Sequence, residues 1–217
     1  MAEAIRFETS DGLSLEGEIR TPDGEPRGSA VICHPHPLGG GSKDHPILWA
    51  LRNELARRGF AVISFNFRGV MGSEGEFGGG EAEMEDVRAA IDTIRDRAGG
   101  PTFLAAWSFG AMVALKEALT DDRVGALALV GFPLSDVSDV PRPELPSSEE
   151  LGSIGRPVLF CVGEADQFSP LPELRRLVKL IPGAELAVFS DTDHFFWRRE
   201  RELAERVGAF GEGTLLT

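Results

Sequence analysis

Thr102-Phe103-Leu104-Ala105-Ala106-Trp107-Ser108-Phe109-Gly110-Ala111-Met112-Val113-Ala114-Leu115-Lys116 is the stretch that decides the fold. Residues 102–106 are apolar and read as a buried strand, and residues 110–116 read as a helix. A serine at such a joint sits on a sharp turn, with its hydroxyl held out above the sheet edge. The turn crowds backbone against backbone, so the positions two before and two after the serine must be small. They are Ala106 and Gly110. The helix that begins beyond the serine also points unsatisfied N–H groups at the space where an oxyanion would develop.

Outward from this joint, strands and helices alternate along the chain. Residues 5–8 and 13–20 read as an antiparallel pair joined at Asp11-Gly12, and 29–33 as a short buried strand. After the loop His34-Pro35-His36-Pro37-Leu38-Gly39-Gly40-Gly41, a helix starts near Asp44 and Pro46, carries Ile47, Leu51 and Leu55 on one face, and stops at Gly59. Residues 60–67 form the next strand, and Met84, Val87, Ile91 and Ile94 mark a helix beyond Gly78-Gly79-Gly80. Strands follow at 124–130, 157–162 and 184–189. Helices run through Leu174, Leu177, Val178 and Ile181, and through Leu203, Val207 and Phe210. Apolar strands alternating with helices predict one α/β domain over residues 1–217, a mostly parallel, doubly wound sheet with helices on both faces.

In such a sheet, chemistry gathers beyond the carboxyl ends of the strands. The strand at 158–162 runs into Gly163-Glu164-Ala165-Asp166, and the strand ending Val188-Phe189-Ser190 runs into Asp191-Thr192-Asp193-His194. Ser108, Asp166 and His194 therefore each stand just past a strand end. A hydroxyl is a weak nucleophile at neutral pH and needs a histidine to take its proton. The histidine needs a carboxylate to fix its tautomer. The competing acids are Asp136 and Asp139, in the proline-rich loop 132–157, and Asp191 and Asp193, which lie too close to His194 to reach its ring and are expected to cap a following helix.

The segments His34-Pro35-His36-Pro37-Leu38-Gly39-Gly40, Phe65-Asn66-Phe67-Arg68-Gly69-Val70, Trp107-Ser108-Phe109-Gly110-Ala111, Gly163-Glu164-Ala165-Asp166 and Asp193-His194-Phe195-Phe196 resemble the α/β-hydrolase superfamily along essentially the whole chain. More narrowly, they resemble its small cap-less bacterial members of the dienelactone-hydrolase-like kind. The family pattern has glycine where Ala106 stands and commonly glycine where Met71 stands, and dienelactone hydrolases carry cysteine in place of Ser108. The resemblance implies an α/β-hydrolase fold with no lid domain and a serine nucleophile at Ser108. It also implies an oxyanion hole built from the backbone N–H of Phe109 and one N–H of the loop after the third strand. Pro35 and Pro37 have no N–H to give, so His36 or Leu38 supplies it, with His36 matching the pattern. Leu38, Trp107 and Phe195 are the expected substrate contacts.

Other readings compete at single positions. His34, His36 and His45 lie close enough in sequence to suggest zinc, but no further ligand spacing accompanies them, and no metal or cofactor is expected. Instead His34 is expected to make structural hydrogen bonds. Gly39-Gly40-Gly41-Ser42-Lys43 departs from a phosphate loop because Ser42 precedes Lys43. Arg68 either holds an anionic substrate or, more commonly for its position, pairs with neighbouring carboxylates. Phe195, Phe196 and Trp197 either line an acyl pocket or pack under the last helix.

A net charge of -13 argues against nucleic-acid and anionic-membrane partners. No run approaches the roughly 18 apolar residues of a membrane span, and residues 1–7 do not resemble a signal peptide. Cys33 and Cys161 lie in apolar runs and are expected to be buried free thiols in a cytoplasmic protein. About two dozen residues, broken by prolines and allowing one short helix at 147–151, separate the strands around the usual lid position. The site is therefore expected to be open and shallow. The function expected is a carboxylesterase acting on small or short-acyl esters. A peptidase or acyltransferase on the same three residues, or a non-catalytic binding protein, is the alternative.

Overall fold

A computed structural model describes residues 2–135 and 141–216. Eight strands form one sheet in the order β1-β2-β4-β3-β5-β6-β7-β8. They are β1 (Ala2–Glu8), β2 (Ser14–Arg20), β3 (Gly28–Cys33), β4 (Phe60–Phe65), β5 (Thr102–Trp107), β6 (Val124–Val130), β7 (Val158–Gly163) and β8 (Glu185–Phe189). β1 and β2, and β2 and β4, pair antiparallel. Every pair from β4 to β8 is parallel.

The central strands are buried on both faces, so their sequences lack the polar alternation of a half-exposed strand. In β5, Leu104 and Ala106 join the core on one face, and Phe103, Ala105 and Trp107 join the other. The first core is covered by α2 (Glu83–Arg95), α3 (Phe109–Thr120) and α5 (Leu171–Val178). The second is covered by α1 (Pro46–Arg57) and α6 (Glu200–Leu215). Cys33 packs into the first core and Cys161 into the second, so the sheet separates the two thiols; both are free and buried. Among the described residues, no helix is long and apolar enough to cross a membrane.

The expected elements are all present, with shifted ends. β4 stops at Phe65 rather than 67: Asn66 N–H still donates to Glu16 O of β2, but Glu16 N–H turns to Ser73 Oγ and Phe67 N–H to His34 Nε2. β5 runs on through Trp107, so the turn falls entirely on Ser108. Between β6 and β7 the only helix among the described residues is the five-residue α4 (Ser148–Gly152). Ser147 caps it, accepting from Glu150 N–H while the Glu150 carboxylate accepts from Ser147 N–H.

Candidate active site

Ser108 occupies the joint of β5 and α3 with φ 57° and ψ -120°, a left-handed backbone that costs a serine strain. The surrounding backbone holds it there. Ser108 N–H donates to Val130 O at 2.9 Å, and Ser108 O accepts from Ala111 N–H at 2.9 Å. Gly110 is required by close approach, since a Cβ there would lie 2.5 Å from His34 O and 2.8 Å from Cys33 O. Ala106 is fully buried, and its methyl packs into the first core.

The structure brings Ser108, His194 and Asp166 into one hydrogen-bonded chain. His194 Nε2 is 3.1 Å from Ser108 Oγ, and His194 Nδ1 is 2.9 Å from Asp166 Oδ2. Asp166 is buried, and its Oδ1 accepts from Phe168 N–H at 2.9 Å and Ser169 N–H at 3.0 Å. An ionised carboxylate can only accept, so Nδ1 carries the imidazole proton and Nε2 presents a lone pair to the serine hydroxyl. The His194 ring is held edge-on by Phe168 at 4.7 Å and by Phe195 at 5.6 Å. Gly131 passes beside it so closely that a Cβ would stand 2.9 Å from His194 Cε1.

These residues open onto a cavity of about 550 Å³, within the usual range for small-molecule sites. The connection after β6 is too short for a lid, yet Pro133, Ser135 and Arg142 fold back to form one wall. Trp107 and Phe195 line the cleft as expected, Trp107 buried and Phe195 still 37% exposed. Leu38 does not. Its N–H turns inward to His36 Nδ1, capping the 3₁₀ turn Pro37–Gly39, and its side chain is left 64% exposed. Phe195, Phe196 and Trp197 divide between both readings and solvent: Phe196 is in the core and Trp197 is 60% exposed.

Asp191 and Asp193 do not cap a helix after His194. Asp193 accepts from Phe195 N–H in a local turn, and α6 starts only at Glu200 with Arg199 before it. Asp136 and Asp139 lie outside the described residues. Arg68 is committed to carboxylates, bonding Asp86 through Nε and Nη2 and Asp11 through Nη1.

The three histidines near the third strand have separate duties. His34 is fully buried; its Nε2 accepts from Phe67 N–H at 2.9 Å and its Nδ1 donates to Pro35 O at 2.6 Å. His36 Nδ1 accepts from Leu38 N–H, and His45 Nδ1 accepts from Ile47 N–H to cap α1. His45 also packs its ring 4.4 Å from Trp107. Among the described residues no three His, Cys, Asp or Glu side chains gather as a metal site. The backbone N–H groups of His36 and Phe109 have no acceptor among the described residues. Both residues line the cleft.

Burial pushes the His34 imidazole down to about 4, so it stays neutral in the fold where an unfolded chain would protonate. The unfolded state then binds more protons between about pH 6.5 and 4, and stability rises with pH across that window. The expected loss from this residue between pH 8 and 4.5 is about 2–3 kcal/mol. Urea unfolding of wild type and His34→Gln at both pH values checks it. The variant should be less stable at pH 8 but lose less on acidification, and parallel losses would refute the assignment.

Some cleft residues were not anticipated. Met112 stands one helical turn after Ser108, a spacing that could have revealed it, and Phe168 stands two residues past Asp166. Arg142 carries no sequence signal, since only the return of its loop brings it in.

A family model described as "Alpha/beta hydrolase domain" matches residues 29–210. An alpha-beta serine hydrolase homologue from Coxiella burnetii is 30% identical with a TM-score of 0.82, covering 96% of this chain and 96% of its own. A serine hydrolase without a lid from Xanthomonas campestris is 26% identical with a TM-score of 0.82, covering 100% of this chain and 96% of its own. An esterase from Pyrococcus furiosus shares the fold, with a TM-score of 0.82 at 18% identity, covering 99% of this chain and 93% of its own.

Proposed function

The chain belongs to the alpha/beta hydrolase family, and from that premise we propose that it is a serine carboxylesterase cleaving small or short-acyl esters. The observation that carries the reading is the chain Asp166–His194–Ser108, with its hydroxyl end at a cleft walled by Trp107, Phe109, Met112 and Phe168.

In this reading Ser108 Oγ attacks the ester carbonyl carbon while His194 Nε2 takes the hydroxyl proton. The carbonyl oxygen becomes an oxyanion and accepts from the His36 and Phe109 N–H groups, which have no other acceptor among the described residues. His194 passes its proton to the departing alkoxide oxygen, leaving an acyl group on Ser108. Water then attacks the acyl carbon, giving a proton to His194, and Ser108 leaves with that proton restored. Asp166 holds the Nδ1–H tautomer throughout and stabilises the imidazolium as it forms. The substrate proposed is a small-molecule ester, and the compartment proposed is the cytoplasm, in keeping with two buried free thiols.

The test is a panel of p-nitrophenyl esters from acetate to palmitate, with amides and thioesters beside them. Among the described residues the β6–β7 connection adds one five-residue helix and no lid, so in this reading a long acyl chain runs out of the cleft into water. Each further methylene left in water forgoes roughly 0.8 kcal/mol of burial, so kcat/KM should stop rising after about butyrate. EDTA should leave the rate unchanged, because Ser108 and His194 complete the cycle themselves. Preference for palmitate, or loss on EDTA treatment with recovery on adding zinc, would contradict the reading.

A further inference from the structure

His36 enters the reaction above only through its backbone N–H, yet its side chain is held at both ring nitrogens. Nδ1 accepts from Leu38 N–H at 3.1 Å, and Nε2 is 2.8 Å from Pro141 O. An N–H can only donate and a carbonyl can only accept, so the ring is neutral and carries its proton on Nε2. Burial favours that neutral form by lowering the imidazole pKa, opposed by the Pro141 carbonyl and the Glu83 carboxylate. The ring also packs in a triangle with two aromatic neighbours, Phe109 at 4.8 Å and Phe77 at 4.9 Å, which touch each other at 5.6 Å. Phe109 carries the other proposed oxyanion donor.

The backbone around His36 is equally constrained. Proline stands on both sides, and His36 O accepts from both Gly39 N–H and Gly41 N–H at 3.0 Å. Gly41 tolerates no side chain, since a Cβ would lie 2.2 Å from Pro35 O. Pro141, 105 residues away in sequence, precedes Arg142, which lines the cleft wall.

We infer that the His36 imidazole is a positioning residue that ties the turn carrying one oxyanion donor to the Pro141–Arg142 wall of the cleft. The inference rests on the esterase reading. The Nδ1 bond to Leu38 fixes the turn, and with it the direction of the His36 N–H. The Nε2 bond to Pro141 fixes the wall against which the substrate lies. Oxyanion donors work because they are already in place when charge develops, and a donor loose by an ångström loses much of its effect.

The two bonds can be cut separately, because every replacement except proline keeps the backbone N–H. His36→Asn places an oxygen where Nδ1 stood but cannot reach Pro141. His36→Gln places an amide nitrogen where Nε2 stood but offers Leu38 no acceptor. His36→Phe keeps a ring against Phe109 and removes both bonds. The assay is kcat and KM on p-nitrophenyl butyrate, with fluorophosphonate labelling of Ser108 and thermal unfolding run in parallel.

The expected result for His36→Gln is a kcat lower by about tenfold with KM nearly unchanged. His36→Asn should raise KM severalfold with kcat near wild type, and His36→Phe should combine the two losses. Wild-type kinetics in all three variants would overturn the inference. So would kcat and KM losses that follow thermal stability alike in Asn and Gln, the sign of a merely structural ring. If the wild type neither turns over esters nor labels at Ser108, the esterase reading and this inference fall together. A wild type that labels beside unaffected variants sinks the inference alone.

Discussion

Replacing Ser108 by alanine is expected to abolish ester turnover, lowering kcat by on the order of 10⁶, as loss of a serine nucleophile does in other hydrolases. In the proposed mechanism Oγ forms the acyl bond, and with it goes the one side-chain hydrogen bond that Ser108 makes among the described residues, to His194 at 3.1 Å. The fold should survive. The turn is held by backbone bonds from Ser108 N–H to Val130 O and from Ala111 N–H to Ser108 O, and alanine keeps both. Alanine at φ 57° is no more strained than serine. The check is kcat together with the melting temperature of the purified variant. Full turnover by a folded Ser108→Ala protein, freed of contaminating esterase, would remove the nucleophile from the account.

Asp166→Asn is the second large effect, with an expected drop in kcat of roughly 10⁴. Asp166 Oδ1 accepts from the Phe168 and Ser169 amides, and an asparagine oxygen can take over both bonds, so the loop should stay folded. That choice turns the asparagine NH₂ toward His194 Nδ1, where Oδ2 now stands at 2.9 Å. A donor facing Nδ1 forces the other tautomer. Nε2 then carries the proton and cannot receive one from Ser108. The variant should therefore melt near wild type while turning over thousands of times more slowly. Asp136→Asn and Asp139→Asn should change little. Near-normal turnover in Asp166→Asn with a large loss in either of those two would move the acid to the earlier loop.

The fold was legible because its strands and helices carry different periods. β5 is apolar at every position after Thr102, as suits a strand covered on both faces, while α2 shows Val87, Ile91 and Ile94 on one stripe. Ser108, Asp166 and His194 could be picked out for the same reason. Each stands just past a strand, and a parallel sheet collects those ends on one edge. Loops have no period, and there the reading stopped. Asp193 looked like a helix cap because nothing in the sequence reveals six residues of turns before Glu200. Leu38 looked like a cleft residue because its N–H bond to the neighbouring imidazole is a matter of local geometry. Pro133, Ser135 and Arg142 reach the cleft on a connection that also bonds back to the His36 Nε2 through Pro141 O. No pattern of composition marks such a contact.

The proposed roles of Ser108 and His194 meet in one measurement, the stoichiometry of covalent labelling by a fluorophosphonate with peptide mapping of the adduct. The account predicts one adduct per chain, on Ser108, with hydrolysis of p-nitrophenyl butyrate falling in proportion to the labelled fraction. His194→Gln protein should label far more slowly. An adduct on another residue, or undiminished hydrolysis by fully labelled protein, would contradict it.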